Sequence, residues 1–298
     1  MQETDWIQRY IAPLVTAAGA DGLRDDVALL STGAPTIVTM DTLVEGIHFL
    51  ATDPDDTVGQ KLIRVNVSDI FAKGAVPQDA LLSIAWPKGR SETRFASVFQ
   101  GLARDLEAYQ IALIGGDLVA TDGPLTLTLT LTGQCLNAAP VRRSGGRPGQ
   151  RLLISGEIGW GGLGLQAARL GETSPAAQRY RVPEIASEST ARTVARVAAA
   201  SMDVSDGLLI DVKRLAEASG CGAALALEHV PLAQPTDHAE GLLNQCTSGD
   251  DYCVLIAVEG EQIVPGFVEI GTLTQIPGLQ LTLRGQRVNP PSTLGFEH

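Results

Sequence analysis

Acidic residues recur where apolar segments of this sequence end. TIVTMD ends in Asp41, IRVNVSD in Asp69 and IALIGGD in Asp117, while ASMDVSD carries Asp203 and Asp206. Two acidic pairs extend the pattern: Asp25 and Asp26 in GLRDD, and Asp250 and Asp251 in TSGDD. Converging carboxylates repel one another and need a cation, and hard oxygen ligands suit Mg²⁺ or Mn²⁺. The pattern therefore predicts a site for divalent metal ions.

Each of these acids also has a simpler explanation. Asp is a favourable helix N-cap, because its carboxylate accepts backbone N–H groups at the positive end of the helix dipole. Asp206, which precedes Gly207 and a helical pattern, is compatible with either role, and the two roles do not exclude each other. We expect Asp211, one helical turn further on, to pair with Lys213 or Arg214 or to face water.

The segments that must position these acids mix strands and helices. Strand-like runs occupy residues 36–41, 79–87, 111–117, 125–133, 151–156, 250–258 and 279–288. Helical patterns occupy residues 5–17, 57–75, 91–110, about 161–170, 186–200 and 207–219. Because these elements do not follow a regular βαβ rhythm, we predict an α+β fold.

A glycine-rich stretch, GWGGLG at 159–164, offers a competing functional signal. It follows the strand-like RLLIS, and Glu184 lies about 20 residues further on, as in dinucleotide-binding proteins. No regular parallel βαβ unit surrounds it, so it is also compatible with the glycine-rich start of a close-packed helix.

Composition narrows the class of protein. The chain has 298 residues, of which 44% are hydrophobic and 19% charged, which is typical of a soluble globular protein long enough for two domains. Its formal net charge of −12 disfavours binding to nucleic acid or to anionic membranes. The start of the sequence does not resemble a signal peptide, and it contains no apolar run of 18 residues. The four cysteines show no CxxC pair, so we expect free thiols and a cytoplasmic location.

Seven motifs, in their order along the chain, resemble those of the thiamine-monophosphate kinase family. They are GLRDDVALL, VTMDTLVEGIHFL, KLIRVNVSDIFAKGA, IALIGGD followed by GPLTLTLTLTG, RRSGGRPGQRLLISG, MDVSDGLLIDVKRLAEASGCGA and SGDDYCVLIAV. The resemblance runs from about residue 5 to the end. The wider superfamily contains aminoimidazole ribonucleotide synthetase, selenophosphate synthetase and a hydrogenase maturation protein.

The resemblance implies a fold, an activity and an assembly. It implies ATP-dependent, Mg²⁺-dependent phosphorylation of thiamine monophosphate to thiamine diphosphate by direct in-line transfer. It implies an N-terminal domain over residues 1–138, with a mixed sheet and helices, which binds metal and ATP and pairs in a homodimer. It further implies a C-terminal α/β sandwich domain over residues 139–298.

The resemblance also assigns roles to individual residues. The implied metal ligands are Asp26, Thr39, Asp41, Asp69, Asp117, Asp203 and Asp206. The implied ATP contacts are Gly116, Asp117, Arg143 and Ser205. The implied contacts to thiamine monophosphate are His48, Asp250 and Phe296. No catalytic residue separate from the metal cluster is implied.

The chemistry of such a reaction agrees with the composition. Phosphoryl transfer depends on positioning and charge neutralisation, and a phosphate monoester acceptor is largely dianionic at neutral pH because its second pKa is about 6. No general base is then needed, which fits a chain with four histidines and no evident Ser-His-Asp or Cys-His constellation. Several Mg²⁺ ions on the carboxylates would screen the two polyanions from each other.

Some positions depart from the family pattern, and two other functions stay open. Unusual residues stand at Arg24, Met40, Leu118 and Trp160, and Asp250 replaces the usual Glu. The open alternatives are a superfamily relative that uses ATP on another small phosphorylated acceptor, and a nucleotide-binding or thiamine-phosphate-binding protein that has lost catalysis.

Overall fold

A computed structural model describes residue 25, residues 27–30 and residues 35–296. The predicted helix over residues 5–17, the predicted ligand Asp26 and the unusual Arg24 lie outside the described residues. The described part is α+β, as predicted, and contains two mixed β-sheets with helices packed on them. No described helix is both long and apolar enough to cross a lipid bilayer.

The first sheet has five strands in the order β1-β2-β5-β3-β4. They are β1 (Ala28–Leu30), β2 (Thr36–Val44), β3 (Ala75–Pro87), β4 (Ala112–Thr121) and β5 (Thr126–Cys135). Only β3 and β4 pair in parallel. As its strict alternation predicts, β5 buries every second side chain, and these side chains pack against two helices, α1 (Asp55–Ala72) and α2 (Glu92–Ala108).

The second sheet has seven strands in the order β12-β11-β8-β10-β6-β9-β7. They are β6 (Arg151–Ile154), β7 (Ala198–Val204), β8 (Gly222–Ala226), β9 (Cys253–Val258), β10 (Val268–Thr274), β11 (Leu279–Leu283) and β12 (Gln286–Val288). The helices of this half are α3 (Trp160–Arg169), α4 (Pro175–Arg181), α5 (Glu188–Val197), α6 (Leu208–Ala218) and α7 (Ala239–Cys246). The predicted boundary at residues 138 and 139 falls between the two sheets, and as a domain boundary it stays a prediction.

Several predicted elements have different bounds. The predicted helix 186–200 ends at Val197, where the chain enters β7. The predicted strand 279–288 is a hairpin, because Arg284 and Gly285 adopt φ of 51° and 76° and reverse the chain. Elements α4, α7, β8 and β10 were not predicted, since each is short and lacks a clear apolar period.

Helices α1 and α2 cross where their backbones touch. A Cβ atom on Gly59 would lie 2.2 Å from the carbonyl oxygen of Val98, and one on Gly101 would lie 1.8 Å from that of Asp56. The two glycines therefore allow the helices to pack closely against each other where they cover the first sheet.

We predict that Gly101→Ala destabilises the protein. At an open helical site this change would add about 1 kcal/mol of stability, but here the methyl group overlaps backbone atoms, so a loss of about 1–3 kcal/mol is expected. Urea denaturation measures the free energy of unfolding, with Gln100→Ala, at an exposed position of the same helix, as the control. Unchanged or increased stability would contradict the close-contact argument.

Candidate active site

A cavity of about 880 Å³ lies between the two halves of the chain. Its walls come from β2 and α1 on one side, and from β7, the start of α3 and the loop before β9 on the other. The predicted site residues that line it are Asp41, His48, Asp69, Asp203, Ser205, Asp206, Asp250 and Phe296. The structure thus brings together acids that are up to 209 positions apart in the sequence (Asp41 and Asp250).

The acids do not all stand at the ends of their elements. The sequence pattern places Asp41 at a strand end, but β2 continues to Val44. Asp69 lies within the last turns of α1, and Asp203 lies in β7 one residue before that strand ends. The prediction of a strand end is therefore wrong for Asp41, whereas Asp69 lies inside the helix predicted over residues 57–75, and both residues approach a common cavity.

Burial and mutual repulsion weaken the acidity of this cluster. Burial, followed by the charge of Asp206, raises the pKa of Asp41 to about 6. Burial also raises the pKa of Asp203 to about 7, although the Ser68 hydroxyl donates to its carboxylate at 2.8 Å and opposes the shift. The pKa of Asp69 lies well above its ordinary value because of burial and the charges of Asp203 and Asp41. A cation bound among these groups would relieve the repulsion.

The donor set suits Mg²⁺ that is shared with phosphate ligands. Thr39 contributes indirectly, since its Oγ1 donates to Oδ2 of Asp69 at 2.5 Å. Within residues 25, 27–30 and 35–296, no three His, Cys, Asp or Glu side chains stand close enough together to form a metal site by themselves. Mg²⁺ usually takes one or two carboxylates and completes its shell with water and substrate phosphates, so the oxygen donors present fit that mode.

Asp211 organises the loop that carries the second-domain acids. It is fully buried, and its Oδ2 accepts the backbone N–H groups of Ser205, Asp206 and Gly207 at 3.2, 3.1 and 3.3 Å. Its Oδ1 accepts from Arg214 at 3.0 Å, as the sequence suggested, but the residue does not face water. Asp211 therefore fixes the backbone on which Ser205 and Asp206 stand.

Asp206 is not the cap of the helix that follows it. The N-cap of α6 is Gly207, which has a φ of 128°. The Asp206 carboxylate instead pairs with Arg214 and faces the cavity. The capping role is therefore not observed, and the ligand role stays a prediction.

A buried ion pair of the first half, between Lys73 and Asp25, also contacts the second half. Lys73 Nζ lies 2.8 Å from Oδ1 of Asp25, with both side chains almost fully buried, and it donates to the Ser201 carbonyl at 2.7 Å. The Arg143 backbone N–H donates to Oδ2 of Asp25 at 3.2 Å. Burial lowers the pKa of the Arg143 guanidinium, while the nearby carboxylates of Asp211, Asp25 and Asp203 favour its charged form.

Hydrogen bonds to or from the backbone hold each predicted substrate contact in place. Nδ1 of His48 accepts the Val44 backbone N–H at 3.0 Å, which places the proton of a neutral imidazole on Nε2. The backbone N–H of Asp250 donates to the Ser205 carbonyl at 2.7 Å, although Asp250 has a left-handed φ of 65°. The Phe296 N–H donates to the Asp206 carbonyl at 2.8 Å, and its ring borders the cavity.

In a single copy of the chain, Gly116 and Asp117 do not line this cavity. Both are exposed on β4, which pairs only with β3 among the described strands. A Cβ atom on Gly116 would lie 1.9 Å from the Leu82 carbonyl oxygen, so this glycine has a packing role of its own. Their assignments stay predictions.

The structure adds site residues that were not singled out in the sequence. Lys61 is 1% exposed, and its Nζ lies 2.8 Å from Oδ2 of Asp250 and 4.3 Å from the centre of the Tyr180 ring, two residues that line the cavity. Tyr252 Oη donates to Oδ1 of Asp250 at 2.8 Å. A lysine beside the apolar residues Leu62 and Ile63 was the available signal for the first of these.

The GWGGLG stretch forms the start of a close-packed helix. A Cβ atom on Gly161 would lie 2.0 Å from the Gly249 carbonyl oxygen. The amides of Gly159 and Gly161 donate to the Asp251 carboxylate at 2.8 and 3.1 Å. Because a carboxylate already occupies the place that a pyrophosphate would take, the dinucleotide interpretation is wrong.

Trp160, Met40 and Leu118, which depart from the family pattern, differ in their contacts and exposure. Trp160 donates through Nε1 to Glu157 at 2.8 Å, and the Arg179 guanidinium lies 4.3 Å from its ring centre. Met40 and Leu118 are 63% and 58% exposed, so neither is required in a core.

Family comparisons define the class of the protein. Residues 24–135 match the N-terminal domain of AIR synthase related proteins, and residues 147–270 match the C-terminal domain of the same group. A thiamine-monophosphate kinase of Caulobacter vibrioides is 37% identical, with 99% of this chain and 90% of that protein covered. One from Synechococcus elongatus is 32% identical, with 98% and 96% covered. The chain therefore belongs to the thiamine-monophosphate kinase family, as its motifs suggested.

Solved structures agree with this placement. AaThiL complexed with AMPPCP and TMP has a TM-score of 0.87 and 27% identity, covering 100% of this chain and 97% of that one. A thiamine monophosphate kinase from Aquifex aeolicus has a TM-score of 0.78 and 26% identity, covering 90% and 93%. The hydrogenase maturation protein HypE of E. coli, at 19% identity and a TM-score of 0.70 over 89% and 90%, shares the fold.

The raised pKa of Asp203 predicts a pH-dependent stability in the metal-free protein. A folded-state pKa of about 7, against an ordinary value of 3.8, means that the folded state holds this proton more tightly. The resulting stabilisation is complete below the lower value and is lost as the pH rises through the higher one. Asp203→Asn keeps the acceptor for Ser68 and removes the ionisation.

Urea denaturation from about pH 5 to about pH 8 tests this prediction. With chelator present, the stability of Asp203→Asn should rise relative to that of the parent protein as the pH increases. Mg²⁺ should then stabilise the parent more than the variant. A constant difference between the two proteins across this range would count against a protonated Asp203.

Proposed function

We propose that this protein transfers the γ-phosphoryl group of ATP to the phosphate of thiamine monophosphate and so forms thiamine diphosphate. The observation that carries the proposal is the cavity, which joins the acid cluster of Asp41, Asp69 and Asp203 to the predicted substrate contacts His48 and Asp250. The named relatives and the AaThiL complex support this substrate pair. Another phosphorylated acceptor is not favoured by any of these observations.

The residues of the chain position and screen two polyanions. In the proposal, Asp41, Asp69, Asp203 and Asp206 hold Mg²⁺, together with Asp26. When bound, Mg²⁺ neutralises charge on the phosphates and on the group in transfer. Asp211 fixes the Ser205–Asp206 backbone, and Thr39 orients the Asp69 carboxylate through its hydroxyl.

The remaining assignments concern the two substrates. Arg143, close to Asp203 and Asp211, is proposed to bind the nucleotide phosphates with Ser205. His48, Asp250 and Phe296 are proposed to contact thiamine monophosphate. Because the acceptor phosphate is already anionic near neutral pH, no side chain is assigned as a general base.

Asp69→Asn tests the proposed function. A coupled assay with ATP, Mg²⁺ and thiamine monophosphate should show turnover in the parent and a loss of at least about 100-fold in the variant, because a charge that holds the metal is removed. Asp122→Asn, at a side chain that is 85% exposed, is the control and should retain activity. EDTA should abolish turnover and Mg²⁺ should restore it.

Two results would overturn this assignment. Full activity in chelator would remove the metal cluster from the mechanism. Rapid ATP consumption with another phosphorylated compound, and none with thiamine monophosphate, would replace the substrate.

We also propose that the protein is a cytoplasmic homodimer. Every residue of β4 from Ala112 to Ala120 is exposed. Both faces of this strand carry large apolar side chains, since the adjacent residues Leu118 and Val119 are 58% and 49% exposed and point to opposite faces. An exposed apolar edge strand favours association with another chain. A second copy paired here would also enclose Gly116 and Asp117, which the monomer leaves in solvent.

Leu118→Lys tests the homodimer. Light scattering at micromolar concentration should give about twice the chain mass of 31.3 kDa for the parent, and a lower mass for the variant, because a charge would be buried in the contact. Ile263→Lys, at a residue of the second half that is 91% exposed, should leave the mass unchanged. A parent mass near that of one chain would contradict the dimer.

A further inference from the structure

The ammonium group of Lys61 has a complete set of acceptors although it is fully desolvated. Its Nζ donates to the His48 carbonyl at 3.0 Å and to Oδ2 of Asp250 at 2.8 Å. The ring of Tyr180 lies 4.3 Å from Nζ and presents a third, aromatic acceptor. A lysine ammonium has three N–H donors, so this environment matches all of them.

Two of these acceptors belong to predicted substrate contacts from different halves of the chain. Lys61 lies on α1 and His48 follows β2 in the first half, whereas Asp250 precedes β9 in the second. Lys61 therefore connects His48 of the first half to Asp250 of the second half through hydrogen bonds. Fixed geometry of groups that contact a substrate depends on such supporting contacts.

The charge of Lys61 matters as well as its hydrogen bonds. Asp250 stands next to Asp251 and borders the same cavity as Asp41, Asp69, Asp203 and Asp206. Among the described ion pairs, Lys61 is the cation that contacts the Asp250 carboxylate. Without that cation, the neighbouring carboxylates would repel Asp250, and its orientation toward a ligand would change.

We propose that Lys61 is a positioning residue for the acceptor substrate. Lys61 holds Oδ2 of the Asp250 carboxylate close to the His48 carbonyl. Tyr252 donates to the other carboxylate oxygen, Oδ1. This proposal rests on the proposed function, since it takes thiamine monophosphate as the ligand of that part of the cavity. Its effect falls on the acceptor and not on ATP, because the proposed nucleotide contacts Arg143 and Ser205 do not touch Lys61.

Lys61→Met removes the ammonium and keeps most of the side-chain volume. Isothermal titration calorimetry with Mg²⁺ and a non-hydrolysable ATP analogue present should show a dissociation constant for thiamine monophosphate that is about 10- to 100-fold higher. The dissociation constant of the ATP analogue should change less than about twofold. Lys213→Met, at a side chain that is 44% exposed on α6, is the control and should affect neither ligand.

The double variant Lys61→Met/Asp250→Asn keeps the test decisive if the single variant does not fold. Replacing both members removes the unpaired, partly buried charge of Asp250 that the single change leaves behind, so this variant should fold by circular dichroism. Because Lys61 is proposed to act through Asp250, Asp250→Asn alone and the double variant should bind thiamine monophosphate with similar affinity.

Each outcome has one meaning. Equal losses for both ligands, a much weaker double variant than Asp250→Asn, or unchanged binding by Lys61→Met would overturn the positioning role. A parent protein that binds the ATP analogue but not thiamine monophosphate would overturn the proposed function instead.

Discussion

Helix α1 is buried on almost all sides, and its polar groups must therefore find partners inside the protein. Thirteen of its 18 residues are buried, which leaves no broad face for water. Four of its hydrogen bonds reach the second half of the chain. Ser68 donates to Asp203, Lys61 to Asp250 and Arg64 to the Pro183 carbonyl. The Ala72 carbonyl accepts from the Ser201 hydroxyl. Buried polar groups without partners are costly, so the need to satisfy α1 sets how the two halves meet.

The cavity follows from this arrangement. Holding α1 against β7 brings Asp69 toward Asp203, and β2 adds Asp41 from the other side. The same closeness raises the pKa values of these carboxylates. A stable core alone would favour neutral residues at these positions, and the proposed binding of cations and phosphate ligands would account for the acids.

Sequence patterns predicted the long elements and singled out the acids that line the cavity. Helices α1 and α2 and strand β5 have long, clear periods, and the acids are marked by their apolar surroundings. The patterns did not predict the role of Asp211, because a carboxylate that accepts three amides from the loop before its helix looks like any acid in a first turn. They also missed Lys61, whose importance lies in Asp250, 189 residues away in the chain.

The short elements of the second half were predicted less well for a related reason. Strand β8 is five residues long and lies between β11 and β10, so its position is determined by its neighbours in the sheet. Glycine packing at Gly161 is likewise specified by the Gly249 backbone, which the local motif GWGGLG does not contain. Motifs of this kind report local conformation, and their function depends on what the fold places opposite them.

The shared helix also has a consequence for folding. If the second half came away from α1, Lys61 would lose Asp250, Lys73 would lose the Ser201 carbonyl, and Ser68 would lose Asp203. The first half would then expose to water the buried residues of α1 that pack against the second half. The two halves are therefore expected to unfold as one cooperative unit, although each has its own sheet and its own apolar core.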